Sequence, residues 1–451
     1  MSFFSSDHTF YKKLFAIALP VAGQNLINMG VSMMDTLMLG TLGEVALSAS
    51  SIANQLFFML MTVSFGLSGG ANVMIAQYWG KGDTAQIRRI TSVLLRTVIG
   101  AALLFTAAAF FRPQLVMKIF TNDAAVIEAG VKYLHITGAY YVFYAFSTTI
   151  NFVLRSVGTV RIAMVTSVTT LVSNVFLNWV FIFGNLGCPA MGIEGAALAT
   201  AISRLIEFAI MVYYVFFRED KIRMRFSDLI STGRGIYAQF TRNAVPVLCN
   251  EMIWTLGSSV ITAIISHMGT EYTAAMSIAS VVTQLASVMI WGVSSGAAAV
   301  IGNSIGAGRL EDVRREARSI MLISALLGLF SSAVILFLRG WVVDLYNITE
   351  NTRLYAMQIM AVHSVVVFFE ALDFNTMTGT LRGGGDTKFV LIVDVIFMWT
   401  VAIPLGFLTG NYLHLSIPVV YACLKCDELL KCMIAIPHAL GKKWIKDVTV
   451  S

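Results

Sequence analysis

The sequence predicts an all-α membrane protein of twelve transmembrane helices in two pseudo-symmetric six-helix lobes, a parallel repeat with its axis along the membrane normal. Three observations carry this. Of 451 residues, 57% are hydrophobic and only 12% charged, where a soluble domain carries about 25% charged residues. Polar turns cut the chain into apolar stretches of spanning length, and the second half repeats landmarks of the first in one register. With 35 Gly, 7 Pro and 5 Cys, the composition excludes a cytosolic globule, a disordered chain, a collagen and a disulfide-stapled scaffold. Met1–Lys13 has no basic region ahead of a short apolar core, so no cleavable signal is expected and the first hydrophobic segment is retained.

The first helix is placed at 14–38, with Pro20 early and Asp35 late, in Met33-Met34-Asp35-Thr36. The second, 48–77, ends at the Gly80-Lys81-Gly82 turn, and the third, 92–111, follows Arg88 and Arg89. The fourth, 126–153, runs into Leu154-Arg155-Ser156-Val157-Gly158. The fifth, 162–184, presents Asn174 and Asn178 one turn apart on one face. The sixth, 193–216, holds Arg204 and Glu207 at i,i+3. In the second half, helices fall at 241–267 with Pro246 and Glu251, 273–303, 317–338, 353–380 with Glu370 and Asp373, 389–409, and 415–438 with Lys425, Asp427, Glu428 and Lys431. A straight crossing needs about 20 residues, so the second, eighth and tenth should tilt, bend or project. The domains are accordingly 1–217, a cytoplasmic connector at 218–242, and 243–451.

Charge placement orients the chain. Of 31 Lys and Arg residues, 23 fall in or beside alternate connections that include both termini, five in or beside the opposite connections, and Arg204, Lys425 and Lys431 further inside helices. The positive-inside rule then puts both termini in the cytoplasm of a multi-pass inner-membrane protein. The net charge of +6 is thus an orientation signal, and no nucleic-acid partner is expected. The expected partners are the lipid bilayer and a small-molecule substrate, with the chain a monomer.

A shift of 226 positions aligns Ala18-Leu19-Pro20-Val21 with Ala244-Val245-Pro246-Val247, Gly43 with Gly269, and Ser51-Ile52-Ala53 with Ser277-Ile278-Ala279. The same register pairs Gly66, Ser68, Gly70 and Ala71 with Gly292, Ser294, Gly296 and Ala297, then Gly80, Gly82, Arg88 and Arg89 with Gly306, Gly308, Arg314 and Arg315. One added residue later, Leu154-Arg155 meets Leu381-Arg382. Six helices per repeat return the chain to its starting face, which makes the repeat parallel and implies a midplane cleft between rocking lobes. Pro20 and Pro246, matched inside the first helix of each half, each remove a backbone hydrogen bond and mark bending points.

Ionisable groups in spanning helices are costly, so each is a functional candidate unless paired or interfacial. Asp35 has no basic residue within a turn and is the candidate for binding a proton or cation; the bland alternative is a wet carboxylate at the helix end. Asn174 and Asn178 can bond Asp35 or coordinate an ion, or can serve as interhelical glue. Arg204 and Glu207 read as an intramembrane pair. Glu251, near the inner surface, reads as solvated or functional, whereas Glu370 and Asp373 lie deeper without an adjacent base and are candidates for a substrate or second ion site. Asp427 and Lys431, at i,i+4, read as a structural pair at an interfacial or lobe-edge position. Cys423-x-x-Cys426 lacks the second ligand pair of a zinc site, and the six histidines are scattered. No metal, no cofactor and no catalytic constellation are therefore expected.

Taken together, Pro20, Asp35-Thr36, Gly80-Lys81-Gly82, Leu154-Arg155-Ser156-Val157-Gly158, Met191-Gly192-Ile193-Glu194-Gly195-Ala196-Ala197-Leu198-Ala199-Thr200 and Leu381-Arg382-Gly383-Gly384-Gly385-Asp386-Thr387 resemble the multidrug and toxic compound extrusion (MATE) family, bacterial type, over about 14–444. The resemblance implies export of cationic or amphipathic compounds in exchange for H+ or Na+. It also implies that Asp35 matches the family's first-helix aspartate and Thr200 a neighbouring hydroxyl. Asn174 matches the first member of an Asn-x-x-x-Asp pattern, with Asn178 in place of the acid. Glu251 and Asp373 stand near, at slightly different offsets from, a seventh-helix glutamate and tenth-helix aspartate used by some members. The expected function is a cation-coupled multidrug antiporter working by alternating access, a secondary transporter and not an enzyme. The alternatives are a flippase for a lipid-linked precursor, which should line its cleft with Lys and Arg, an exporter of one specific metabolite, and a channel or receptor.

Overall fold

The computed structural model describes residues 7–230, 233, 235–346 and 348–450. The described residues contain no strand. Arg234, one of the basic residues of the connector, lies outside the described residues, as do Ser231 and Thr232.

The first half consists of α1 (His8–Gly40), α2 (Glu44–Lys81), α3 (Thr84–Phe111), the short α4 (Pro113–Lys118), α5 (Ala124–Thr137), α6 (Tyr141–Ser156), α7 (Arg161–Phe183) and α8 (Ile193–Tyr213). The second half consists of α9 (Ile236–Met268), α10 (Thr270–Gly306), α11 (Leu310–Val343), α12 (Glu350–Phe374), α13 (Thr387–Ile396), α14 (Ile403–Phe407), α15 (Ile417–Leu424) and α16 (Cys426–Leu440). All twelve predicted segments are helical, and ten are long and apolar enough to cross a membrane unbroken. The other two are the fourth and twelfth, and each is interrupted. A 3-10 turn at Gly138–Tyr140 joins α5 to α6, and Lys425, at φ −116° and ψ 7°, separates α15 from α16. Helices α2 and α10 reach 38 and 37 residues, about 57 and 55 Å at 1.5 Å per residue, longer than the sequence placed them.

Local chemistry sets several ends. Asp123 accepts from the amides of Ala125 and Val126 to start α5, and Thr349 does the same for α12 through Thr352. Gly184, at φ 74°, closes α7 in the left-handed conformation. Wide π turns at Asn375–Leu381, Phe397–Ala402 and Leu408–Tyr412 prolong α12, α13 and α14. The last two flank Pro404, whose missing N–H breaks the regular ladder.

The chain divides into two compact units. One gathers Met1–Ala22, Asn72–Asp83 and Val245–Ser451; the other gathers Gly23–Ala71 and Thr84–Ala244. Within the first, α10 receives α1 and the end of α2 through glycines. A Cβ on Gly292 would lie 2.5 Å from the Ala18 carbonyl oxygen, and one on Gly296 2.9 Å from that of Leu14. Gly80 faces the Asn303 carbonyl oxygen at 2.0 Å, and Gly306 faces that of Gln77 at 1.8 Å by the same measure. These last contacts are reciprocal in the repeat register, since Gly80 pairs with Gly306 and Gln77 with Asn303. In the second unit Gly70 closes on the Ala244 backbone at 2.3 Å, repeating what Gly296 does at the start of α1. Turn geometry follows the same register: Gly82 and Gly308 have φ +80° and +73°, and Gly158 and Gly385 +71° and +89°.

The chain end is packed into the first unit. Trp444 is fully buried, donates from Nε1 to the Ala439 carbonyl at 2.8 Å, and lies against Gly384, where a Cβ would meet its ring at 2.3 Å. The Lys446 amide donates to the Gly384 carbonyl at 2.9 Å, and Gln77 bonds the same stretch, donating from Nε2 to Lys446 O at 3.0 Å and accepting at Oε1 from Val448 N at 2.8 Å. Asp386 holds both Lys446 Nζ at 2.6 Å and His438 Nε2 at 2.9 Å. Trp444→Ala is therefore expected to cost about 3–5 kcal/mol, read as a clear fall in melting temperature of the detergent-solubilised protein; an unchanged midpoint would show that the tail packs without stabilising.

Candidate functional site

In the second unit, α1 presents Asp35, α7 presents Asn174 and Asn178, and α8 presents Thr200. The i,i+4 spacing on α7 turns both carboxamides to one side, and both are buried at 1% and 0% exposure. Asn178 Nδ2 donates to Asp35 Oδ1 at 2.5 Å and to Asn174 Oδ1 at 3.2 Å. Asn174 Nδ2 donates onward to Thr200 Oγ1 at 3.2 Å. Four residues singled out in the sequence thus form one hydrogen-bonded chain across three helices. It contains a charge-assisted contact at its Asp35 end, and Asn178 Oδ1 is buried without a hydrogen-bond partner. Asp35 accepts from the Asn178 amide N–H, and the chain beyond it carries the amide oxygens of Asn174 and Asn178 and the Thr200 hydroxyl, oxygen groups of the kind that serve a hard monovalent cation or a proton.

Arg204 and Glu207 form the expected pair, at 2.8 Å on α8. The Arg204 guanidinium also stands over the Tyr144 ring, 5.3 Å from its centroid, so aromatic contact adds to the charge compensation. Tyr140, Tyr141 and Tyr144 cluster around Phe57, with ring centroids 5.5, 5.7 and 4.7 Å away. This aromatic wall was not singled out from sequence, although Tyr140-Tyr141-x-x-Tyr144 has the i,i+3/i+4 spacing that would have marked it. Pro20 and Pro246 lie inside the continuous helices α1 and α9.

In the first unit the structure corrects three readings. Glu251 is not simply solvated: Arg382 Nη1 donates to its Oε1 at 2.8 Å, while Arg382 Nη2 donates to Asn250 Oδ1 at 2.9 Å. The repeat partner Arg155 makes the matching contact, from Nη2 to Gln24 Oε1 at 3.3 Å. Glu370 and Asp373 do not lack a base. His363 Nε2 stands 3.7 Å from Glu370 Oε2, and Lys431 Nζ stands 3.9 Å from Asp373 Oδ2. The partners come from two helical turns away on α12 and from α16, and only the second is distant in sequence. Lastly, Asp427 and Lys431 do pair, at 2.9 Å, but both are buried, at 4% and 3% exposure, rather than placed at an edge.

These contacts join into a network that sequence reasoning did not assemble. Asn250 Nδ2 donates to Asp394 Oδ2 at 2.8 Å, and Asp394 Oδ1 takes Lys431 at 3.2 Å. His363 Nδ1 shares a hydrogen bond with the Tyr421 hydroxyl at 3.0 Å. Asn250 and Asp394 had no local signal, being 144 residues apart. The five cysteines are free, and among the described residues no group of three His, Cys, Asp or Glu side chains is arranged to hold a metal ion.

The MatE family profile matches residues 20–180 and 246–408. The chain is 27% identical to "Probable multidrug resistance protein NorM" of Thermotoga maritima over 96% of its own length and 93% of the relative's. It is 22% identical to "Uncharacterized transporter YisQ" of Bacillus subtilis over 98% and 96%. Among solved structures, a MATE in complex with MaD3S superposes with a TM-score of 0.87 at 17% identity, covering 98% of this chain and 97% of that one. A MOP superfamily transporter from Pyrococcus furiosus superposes with 0.86 at 18%, covering 95% and 94%.

Proposed function

The chain belongs to the MatE family and is a multi-pass membrane transporter rather than an enzyme, and from that premise we propose that it exports cationic or amphipathic small molecules in exchange for H+ or Na+. Asp35, Asn174, Asn178 and Thr200 hold the coupling ion, and Glu251, Glu370 and Asp373 contribute a substrate or second ion site. The lobes 1–217 and 243–451, joined by 218–242, alternate access by rocking, with Pro20 and Pro246 as bending points and both termini in the cytoplasm. The monomer is the working unit.

The observation that carries the coupling reading is the 2.5 Å contact from Asn178 to Asp35 at the head of a buried amide and hydroxyl chain. A carboxylate so held has a defined geometry for one small cation or one proton and can exchange it as access alternates. Support for the substrate class comes from relatives named as multidrug resistance proteins and from the acidic excess among the intramembrane candidates. The test is efflux of a fluorescent aromatic cation from proteoliposomes under imposed H+ or Na+ gradients, one at a time. One gradient should drive uphill movement that its collapse abolishes; efflux indifferent to both sinks the coupling reading.

A further inference from the structure

In the first unit, one ammonium group gathers carboxylates from three helices. Lys431 Nζ lies 2.9 Å from Asp427 Oδ2 on α16, 3.2 Å from Asp394 Oδ1 on α13 and 3.9 Å from Asp373 Oδ2 on α12. The lysine is 3% exposed and Asp373 5%, and Asp373 Oδ1 is buried with no hydrogen-bond partner. An i,i+4 pair between Asp427 and Lys431 is self-sufficient on a wet helix face, where such pairs are worth little. It explains neither the burial nor the convergence of α12 and α13 on the same nitrogen. Burying a lysine is unfavourable unless the surroundings return the lost hydration; here Asp427 and Asp394 stand within hydrogen-bond reach of the ammonium, and Asp373 adds its charge at ion-pair distance. The arrangement is that of a monovalent cation in an oxygen cage, except that this cation is fastened to α16 by a carbon chain.

We propose that Lys431 is a tethered counter-cation: it permanently fills a cage that would otherwise take a free monovalent cation, so the first unit binds no exchangeable alkali ion at Asp373, Asp394 and Asp427. The corollary, that of the two roles proposed above for Glu251, Glu370 and Asp373 only the substrate site remains and ion exchange is confined to Asp35, rests on the coupling reading; the occupancy of the cage does not. Removing the amine should convert the cage into a site for Na+ or for a small ammonium ion, because the oxygens and their charge remain.

The test uses the full-length protein in detergent carrying Asp35→Asn, so that a cation-dependent signal arises away from Asp35. Its melting temperature is compared in choline, sodium and methylammonium chloride at equal ionic strength. With Lys431 intact, the three salts should give the same midpoint. Adding Lys431→Ala should lower it by roughly 10 °C in choline, with at least half of the loss recovered in sodium or methylammonium, and that recovery should vanish when Asp373→Asn is added. Equal loss in all three salts would make Lys431 a structural pair only and overturn the proposal. If Lys431→Ala does not fold, Lys431→Met, which keeps most of the stem and removes the charge, is measured in its place with the same two outcomes, and a sodium-dependent rise with Lys431 intact also overturns the proposal. Transport is not read in this assay, so a failure of the coupling role of Asp35 would appear in efflux and leave the melting result unaffected.

Discussion

Asp35→Asn is expected to abolish gradient-driven efflux in proteoliposomes while leaving substrate exchange without a gradient measurable. The substitution keeps the size of the side chain and removes its charge. The contact from Asn178 at 2.5 Å then loses its charge assistance, about 1 kcal/mol as the difference between hydrogen bonds to charged and to neutral groups, and this site loses its one group that can take up a proton or neutralise a cation. A cation that enters the site then meets no counter-charge there and is held far more weakly, and where the carboxyl itself carries the proton the loss is complete. Asn178→Ala should be milder, since the carboxylate remains and only its orientation is released. The competing account, a carboxylate that merely ends the helix, makes a different forecast: Asp35→Asn would then shift stability slightly and leave coupled efflux intact. That result would remove Asp35 from the mechanism.

The reach of sequence reasoning differed between the two units for a physical reason. Asp35, Asn174 and Asn178 were legible because an intramembrane carboxylate and an i,i+4 amide pair are rare against an apolar background, Thr200 only through the family resemblance, and the structure brings all four together. The span pattern was legible for the same reason, apart from the 3-10 turn at Gly138–Tyr140 and the break at Lys425, which disturb the backbone without changing hydropathy. Lys431 was misread because a sufficient partner, Asp427, stood four residues away. Local pairing accounted for its charge and concealed Asp394 and Asp373 on α13 and α12. Arg382 with Glu251 was hidden differently, by a separation of 131 residues; the repeat held the clue, since Arg382 and Arg155 occupy matched positions and Asn250 matches Gln24.

Gly80→Val and Gly306→Val should each destabilise the first unit by about 3 kcal/mol or more, and the double variant should lose clearly less than the sum. Overpacking a close helix contact usually costs about 1–3 kcal/mol when side chains can yield. Here the obstacle is main chain: a Cβ on Gly80 would lie 2.0 Å from the Asn303 carbonyl oxygen, and one on Gly306 1.8 Å from that of Gln77, so only separation of α2 from α10 relieves the overlap. Because the two contacts are reciprocal halves of a single crossing, the helix displacement forced by the first valine makes room for the second, and a coupling of about 1–2 kcal/mol is expected. Gly82→Ala and Gly308→Ala provide the contrast. Those glycines have open space around the added carbon but φ of +80° and +73°, so the cost is backbone strain, about 1 kcal/mol each, and separate turns should add. Melting temperatures of the four single and two double variants decide the matter, and additive losses for Gly80 with Gly306 would mean that the two contacts do not share one helix crossing.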